Sequence, residues 1–151
     1  NCSPTILHND FKLDNIILKN VNNNIFPNAI IDWDQATRGH PLYDLATLLS
    51  YWTVKSDSDE MRLIKQMPSE KEGFLSRLEA INLYSELSEN SIVDFGWIYS
   101  LSLLKLGVVF QQLFAQYIRG TVKDKKYLLF EMVAEASYKR GLDIIVNKEI
   151  I

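Results

Sequence analysis

The amino-acid sequence predicts an α+β fold that is mostly α-helical, with a β-hairpin near the start of the chain and about four helices after it. Residues 16–18 and 29–31 are short apolar runs rich in β-favouring Ile, and residues 19–28 between them are rich in Asn, which is typical of turns. After residue 41, apolar residues recur at the three- and four-residue spacing of amphipathic helices. A chain of 151 residues, 47% of them hydrophobic, is long enough for one domain with a packed core.

The first helix is predicted to begin at Pro41, because proline suits the first turn of a helix. Asp44 in that turn favours the positive end of the helix dipole. We expect this helix to continue to Trp52 and to pack its apolar face under the hairpin. Residues 55–68 are charged and rich in turn-forming residues, so they predict a loop with a short helical turn near residues 61–65.

Three further helices complete the predicted fold. The first of them spans residues 69–87 and begins at a serine that is followed by acidic residues. The second is long, with Ser91 or Asp94 as its cap, and continues through Tyr117. The third spans residues 123 to about 147, after a break that contains glycine.

The composition excludes some classes of function. A formal net charge of −3 and a pI near 5.4 give no electrostatic basis for binding nucleic acid or an anionic membrane. Residues 95–118 are apolar enough to raise the question of a membrane span. Lys105 inside such a span would cost roughly 2.5–3.5 kcal/mol, so we expect a core helix and no membrane contact. The single cysteine, Cys2, forms no internal disulfide, which favours a reducing compartment and a cytoplasmic location.

Two motifs indicate a chemistry. Residues 8–15 read His-Asn-Asp-Phe-Lys-Leu-Asp-Asn, and residues 31–34 read Ile-Asp-Trp-Asp. Phosphoryl transfer needs a group that orients and deprotonates the acceptor hydroxyl, and oxygen ligands for a metal ion that neutralises phosphate charge. Asp10, Asn15 and Asp32 are of the right type and order to supply them. Because the hairpin connects Asn15 to Asp32, its folding would bring the distant carboxylate back beside the loop.

A third motif, Gly-His-Pro-Leu-Tyr-Asp-Leu-Ala, occupies residues 39–46. Together the three motifs resemble the aminoglycoside phosphotransferase and choline kinase superfamily, whose fold is related to that of protein kinases. By this resemblance the chain is the C-terminal lobe of a protein-kinase-like fold, with a catalytic loop, a β-hairpin and about four helices. Residues 8–15 are especially similar to the branch of these kinases that is associated with acyl-CoA dehydrogenases.

The resemblance also implies roles for individual residues. Asp10 would be the catalytic aspartate, and Asn15 and Asp32 would be the Mg²⁺ ligands. His8 and Asp44 would support the catalytic loop without taking part in the chemistry. ATP or GTP would be the phosphate donor, and the acceptor would be a hydroxyl group of an aminoglycoside, a choline-like compound or a hydroxyacyl-CoA.

Lys12 lies where many protein kinases place a lysine that contacts the transferred phosphate, and a solvated surface charge is the other interpretation. The resemblance divides the chain into a catalytic loop with a metal-binding hairpin, residues 1–40, and a helical subdomain, residues 41–151. We expect the N-terminal ATP-binding lobe of such a kinase to be absent from this chain. The isolated chain is then expected to be inactive, with the missing lobe, a nucleotide and a small-molecule acceptor as its partners.

Other functions remain open. A kinase remnant could serve as a helical binding module, and Asp10, Asp32 and Asp34 could instead hold metal ions in a hydrolase. Acidic residues near positions 57–60 could attract a cationic aminoglycoside. Aromatic residues at helical spacing could form a cage for a quaternary ammonium group, with core packing as the simpler explanation. These aromatic residues are Tyr51, Trp52, Trp97, Tyr99, Phe110, Phe114 and Tyr117.

Overall fold

The computed structural model describes residues 3–63, 65–88 and 91–147, and Cys2 lies outside these ranges. The described strands are β1 (Thr5–Leu7), β2 (Ile16–Val21), β3 (Asn24–Ile30) and β4 (Thr37–Gly39). The described helices are α1 (Leu42–Ser50), α2 (Asp59–Arg62), α3 (Arg77–Leu87), α4 (Phe95–Ile118) and α5 (Leu129–Asn147). The prediction of a mostly helical α+β fold is confirmed, and the short α2 lies slightly before the predicted helical turn.

Strands β2 and β3 form the predicted hairpin, but its turn is much shorter than expected. Asn22 and Asn23, with φ angles of 53° and 64°, make a two-residue turn between Val21 and its pairing partner Asn24. Asparagine tolerates this left-handed backbone better than most residues, and such turns match the twist of a hairpin. Most of the segment 19–28, predicted as a turn, therefore belongs to the strands.

The hairpin contributes little to the core. Every residue of β3 is exposed, and in β2 only Ile16 is partly covered. The apolar side chains of Leu18 and Ile25 are 59% and 65% exposed. The expectation that α1 packs under the hairpin is wrong, because the apolar face of α1 lies mainly against α4.

The main core lies between α1, α4 and α5. Leu42 and Leu49 of α1, Tyr99 and Leu103 of α4, and Ile144 of α5 are each at most 1% exposed. Within the described residues, α4 is long and apolar enough to cross a membrane by length and composition alone. Its packing against α1 and α5 buries 39% of that apolar stretch, and Leu101 and Leu104 on the same helix are 53% and 50% exposed.

Helix α3 begins at Arg77, well after the predicted start at residue 69. The Ser76 hydroxyl accepts the backbone N–H of Glu79, and the Glu79 carboxylate accepts the backbone N–H of Ser76. This capping box satisfies two donors that the start of a helix leaves open. The predicted start, Ser69, instead donates its hydroxyl hydrogen to the Thr53 carbonyl at 2.9 Å and so holds a loop together.

Two other helix starts differ in detail from the prediction. Asp94 occupies the N-cap position of α4 with a left-handed φ of 60°, but its side chain makes no capping hydrogen bond. Helix α5 starts later than predicted because Lys125–Leu128 form a 3-10 turn, which the Asp124 side chain caps by accepting the N–H of Lys126. Apolar spacing alone therefore does not give the exact first residue of these two helices.

A buried ion pair joins the loop after α1 to the start of α3. The side chains of Arg77 and Asp57 are 7% and 6% exposed, and Nη2 of the arginine lies 2.6 Å from Oδ2 of the aspartate. Nη2 also donates to the Trp52 carbonyl. Asp57 is one of the acidic residues that could attract a cationic aminoglycoside, but its charge is already paired with Arg77 and its side chain is buried.

We predict that Asp57→Ala lowers the free energy of unfolding by about 3–5 kcal/mol, because it leaves the buried Arg77 guanidinium without its counter-charge. Urea unfolding followed by circular dichroism measures the loss. Asp59→Ala is the matched control, since the Asp59 side chain is 97% exposed and lies 3.7 Å from Arg62. The control should change stability by less than about 1 kcal/mol. Equal effects of the two substitutions would contradict the prediction.

Candidate active site

The loop between β1 and β2, residues 8–15, holds most of the predicted site residues. Leu7 ends β1 opposite Thr37 of β4, and the 3-10 turn Leu13–Asn15 leads into β2. Asn9 has a left-handed φ of 64°. The three residues that follow Leu7 are each no more than 9% exposed. The first part of the loop and Asn15 at its end are therefore buried, while Leu13 and Asp14 between them are exposed.

Asp44, in the first turn of α1, binds the backbone of this loop. Its Oδ2 accepts the N–H of His8 and its Oδ1 accepts the N–H of Asn9, both at 2.7 Å. Charge-assisted bonds of this kind are stronger than neutral ones, and both carboxylate oxygens are used. The structure thus places Asp44 in a supporting position against the backbone of the loop.

Asn9 is held by two more groups. Its side-chain Nδ2 donates to the Gln35 carbonyl at 2.8 Å, and its own carbonyl accepts a hydrogen bond from Lys105 Nζ at 2.6 Å. Burial lowers the pKa of the Lys105 ammonium, against the opposing effect of the negative charges of Asp10 and Asp44. Lys105 is a member of the site that the motifs did not reveal. Its signal in the sequence is that it is the sole charged residue in α4.

His8 connects the loop to the segment that follows the hairpin. Its ring Nε2 lies 2.8 Å from the Ile31 carbonyl, and its Nδ1 accepts the backbone N–H of Asp10 at 3.3 Å. These two bonds fit the tautomer that carries its hydrogen on Nε2. The ring also packs against Trp33, with centroids 4.6 Å apart. His8 therefore holds two parts of the predicted site together.

The Asp10 carboxylate accepts hydrogen bonds from three side chains. Lys12 Nζ lies 3.2 and 3.0 Å from its two oxygens, Tyr51 Oη donates to Oδ1 at 2.8 Å, and Asn15 Nδ2 lies 3.3 Å from Oδ2. Burial alone would raise the pKa of Asp10, but the hydrogen bonds from Lys12 and Tyr51 and the charge of Lys12 outweigh it. The net result is a pKa below the usual range of an aspartate, so the group is an anion at neutral pH.

Asn15 and Asp32, the predicted metal ligands, lie on neighbouring strand ends. The Asn15 carbonyl accepts the N–H of Ile31 at 3.0 Å, and its side-chain Nδ2 donates to the Asp10 carbonyl at 2.8 Å. Asp32 is exposed, with a left-handed φ of 64°. The hairpin thus returns the chain beside Asn15, as the order of the motifs predicts.

The residues present suit Mg²⁺ better than a metal that needs a full set of protein ligands. Mg²⁺ commonly takes one or two protein oxygen ligands and completes its shell with water and substrate phosphates. Asn15 offers its amide oxygen, because its Nδ2 is already used, and Asp32 offers a solvent-facing carboxylate. Among the described residues, no group of three or more His, Cys, Asp and Glu side chains could hold a metal ion. Such a group is what the hydrolase with Asp10, Asp32 and Asp34 would need.

Lys12 and Tyr51 lie next to each other at Asp10. The Lys12 ammonium is 5.2 Å from the centre of the Tyr51 ring, and its side chain is 20% exposed. Lys12 is therefore neither a free surface charge nor far from the predicted catalytic group. From the sequence alone, Tyr51 is a candidate only for an aromatic cage, and the motifs assign it no role beside Asp10. The signal that the motifs miss is spacing, since Tyr51 follows Asp44 by two helical turns and so lies on the same face.

The proposed aromatic cage does not form. Tyr99 and Phe110 are buried in separate core clusters, whereas Trp97 is 60% exposed. Trp52 packs against Phe74 and donates its indole N–H to the Leu75 carbonyl. Core packing therefore explains Tyr99 and Phe110, while Trp97 lies apart from them on the surface.

A cavity of about 960 Å³ lies between the loop around α2, the start of α3, and α5. Its walls combine acidic residues such as Glu60 and Asp143 with Lys139 and Arg140. Asp10, Asn15 and Asp32 do not line it. The cavity is thus separate from the predicted phosphoryl-transfer site.

The comparison with family models gives the decisive match. Residues 1–78 match the model of the phosphotransferase enzyme family (APH). This segment contains every predicted site residue and more than half of the chain. The chain belongs to the phosphotransferase enzyme family.

Relatives of this chain carry the name acyl-CoA dehydrogenase family member 11. The protein from Homo sapiens is 29% identical over 144 residues, that from Pongo abelii 28% over 145, and that from Gallus gallus 25% over 143. Each match covers 92% of this chain and 18% of the relative. The chain therefore spans about a fifth of the length of these relatives.

A solved structure confirms the fold of this chain. The crystal structure of a putative aminoglycoside phosphotransferase from Ralstonia eutropha matches it with a TM-score of 0.64 and 21% identity. The match covers 90% of this chain and 43% of the solved one. The kinase-like architecture predicted from the three motifs is thus confirmed.

We predict that Asp44→Asn loosens the loop without unfolding the domain. The amide NH₂ of asparagine faces a backbone N–H, so one buried donor loses its acceptor at a cost of about 1–3 kcal/mol. Hydrogen exchange should then be faster at the N–H groups of His8 and Asn9 while amides in the middle of α4 keep their protection. Unchanged exchange at both loop amides would contradict the supporting role of Asp44.

Proposed function

We propose that this chain carries the catalytic loop and metal ligands of an ATP- and Mg²⁺-dependent small-molecule phosphotransferase that transfers the γ-phosphate to an acceptor hydroxyl. The observation that carries the proposal is the connection of Asp10, Asn15 and the segment before Asp32 by hydrogen bonds. Asn15 binds Asp10 through its side chain and Ile31 through its backbone carbonyl. One residue, through its side chain and its backbone, thus links the proposed base to the segment that leads to the second proposed ligand, Asp32.

In this proposal Asp10 accepts and orients the hydroxyl hydrogen of the acceptor, which the low pKa of its carboxylate allows at neutral pH. The Asn15 amide oxygen and the Asp32 carboxylate would hold Mg²⁺, which neutralises charge on the nucleotide phosphates when bound. Lys12, now bonded to Asp10, is close enough to turn its ammonium toward the transferred phosphate. His8 and Asp44 keep the loop in shape and touch neither substrate.

The acceptor we favour is a hydroxyacyl-CoA compound. The support is that three relatives bear the name of an acyl-CoA dehydrogenase family member, whereas the structural match to an aminoglycoside phosphotransferase concerns the fold alone. Because the described aromatic residues form no cage, a choline-like acceptor is less well supported. Because Asp57 is buried in its pair with Arg77, a cationic aminoglycoside is also less well supported as the acceptor.

We further propose that the ATP-binding lobe comes from a part of the protein outside these 151 residues. The chain corresponds to 43% of the matched phosphotransferase structure, which leaves room for such a lobe. The hairpin carries exposed apolar side chains on both of its faces, among them Leu18, Ile25 and Phe26, which such a lobe could contact. The same surface would suit a helical binding module without activity, and the next experiment separates the two functions.

Asp10→Asn in the full-length natural protein should lower kcat by about 10²–10⁴-fold, because the amide cannot accept the hydroxyl proton. A kinase assay with ATP, Mg²⁺ and a hydroxyacyl-CoA measures the rate, and circular dichroism checks the fold. Asp14→Asn is the matched control, since Asp14 is exposed in the same loop. Unchanged turnover by Asp10→Asn, or no turnover by the unmodified protein with any acceptor class, would favour the binding module.

Asp32→Ala should abolish the Mg²⁺ dependence of nucleotide binding, because the site then keeps one protein oxygen ligand from Asn15. Isothermal titration of the full-length protein with ATP, with and without Mg²⁺, measures the effect. Asp34→Ala, two residues away and equally solvent-facing, should retain the Mg²⁺ dependence. Retained dependence in Asp32→Ala refutes the ligand assignment, and loss in both variants would point to a shared carboxylate pair.

A further inference from the structure

Tyr51, the first residue after α1, contacts two groups of the proposed site at once. Its hydroxyl donates to Asp10 Oδ1 at 2.8 Å, and its ring lies under the Lys12 ammonium at 5.2 Å. No motif in the sequence assigns a role to this residue. Its ring is partly buried against the core cluster that contains Phe110 and Phe130, so the hydroxyl is held in place by packing.

The same helix holds the loop at a second point. Asp44, at the start of α1, binds the backbone of residues 8 and 9, while Tyr51, just past its end, binds the side chain of Asp10. Because both groups belong to one rigid helix, the distance between the two attachment points is fixed. The backbone position and the side-chain rotamer of Asp10 are therefore set together.

We propose that Tyr51 is a positioning residue, which fixes the Asp10 carboxylate through Oδ1 and directs Oδ2 toward the acceptor hydroxyl, while its ring supports Lys12. This inference rests on the proposed function. During transfer the hydroxyl proton passes to Asp10 Oδ2, the acceptor oxygen bonds to the γ-phosphorus, and the bond from that phosphorus to the bridging oxygen breaks. The nucleoside diphosphate leaves with that oxygen, and Tyr51 gains and loses nothing.

The chemistry of the tyrosine suits this role. Burial, reinforced by the charge of Asp10, raises the pKa of Tyr51 far above its usual range. The hydroxyl therefore stays protonated at neutral pH and remains a donor. A carboxylate fixed at one oxygen loses rotational freedom before the reaction, which is how positioning contributes to rate.

Two substitutions in the full-length protein separate the functions of the hydroxyl and the ring. Tyr51→Phe removes the hydroxyl and keeps the ring, so kcat should fall by about 10–100-fold while KM for ATP and acceptor stays within about twofold. Tyr51→Leu removes both contacts and should also raise KM for ATP, because Lys12 loses its cation–π support. Tyr138→Phe is the matched control, since its hydroxyl bonds Gln111 away from the site, and it should leave both constants unchanged.

A double-mutant cycle with Asp10→Asn tests whether Tyr51 acts through Asp10. Under single-turnover conditions, Tyr51→Phe should add no further loss to the Asp10→Asn variant, because the group it positions is already gone. An unchanged kcat in Tyr51→Phe, or an undiminished loss in the Asp10→Asn background, overturns the positioning role. The proposed function fails separately, when Asp10→Asn alone leaves turnover intact.

Discussion

The site depends on the two hydrogen bonds that the Asp44 carboxylate accepts from the backbone of the loop. This carboxylate satisfies two backbone N–H groups in the buried first part of the loop, His8 and Asn9, which have no room for water to replace it. Because Asp44 belongs to α1, and α1 packs on α4, the packing energy of the helical core holds the loop in one conformation. A loop that carries reactive groups is therefore as well ordered as the core that supports it.

Helix α4 supplies the second anchor. Lys105 reaches from an otherwise uncharged helix to the carbonyl of Asn9, the residue whose N–H is bound by Asp44. The backbone N–H of Asn9 is thus bound by a residue of α1, and its backbone carbonyl is bound by a residue of α4. This double attachment stabilises the left-handed backbone of Asn9, a conformation that costs energy in isolation. The conformation of the loop therefore depends on how α1 and α4 pack against each other in the core.

That the site residues lie close together could be predicted from the sequence, because each of them belongs to a short motif. A hairpin returns the chain from Asn15 to Asp32 wherever its turn lies. The predicted turn was too long, since five of the ten residues 19–28 are Asn and only the pairing of the strands shows which two of them bend the chain. Lys105 and Tyr51 escaped prediction for another reason. They meet the loop across 96 and 41 residues, and such contacts follow from helix packing.

The hydrogen bonds around Asp10 show which contacts an acceptor must displace to reach its carboxylate. Lys12, Tyr51 and Asn15 all donate to this carboxylate, so an acceptor hydroxyl has to compete with them for an oxygen. Lys12 has the longest and most flexible of these side chains, and phosphate oxygens would attract its ammonium as strongly as a carboxylate does. Its departure would leave Asp10 Oδ2 with the longer 3.3 Å bond from Asn15, while Tyr51 keeps Oδ1 in place. In the proposed function, a nucleotide phosphate that draws Lys12 away would thus make Asp10 Oδ2 more accessible to the acceptor hydroxyl.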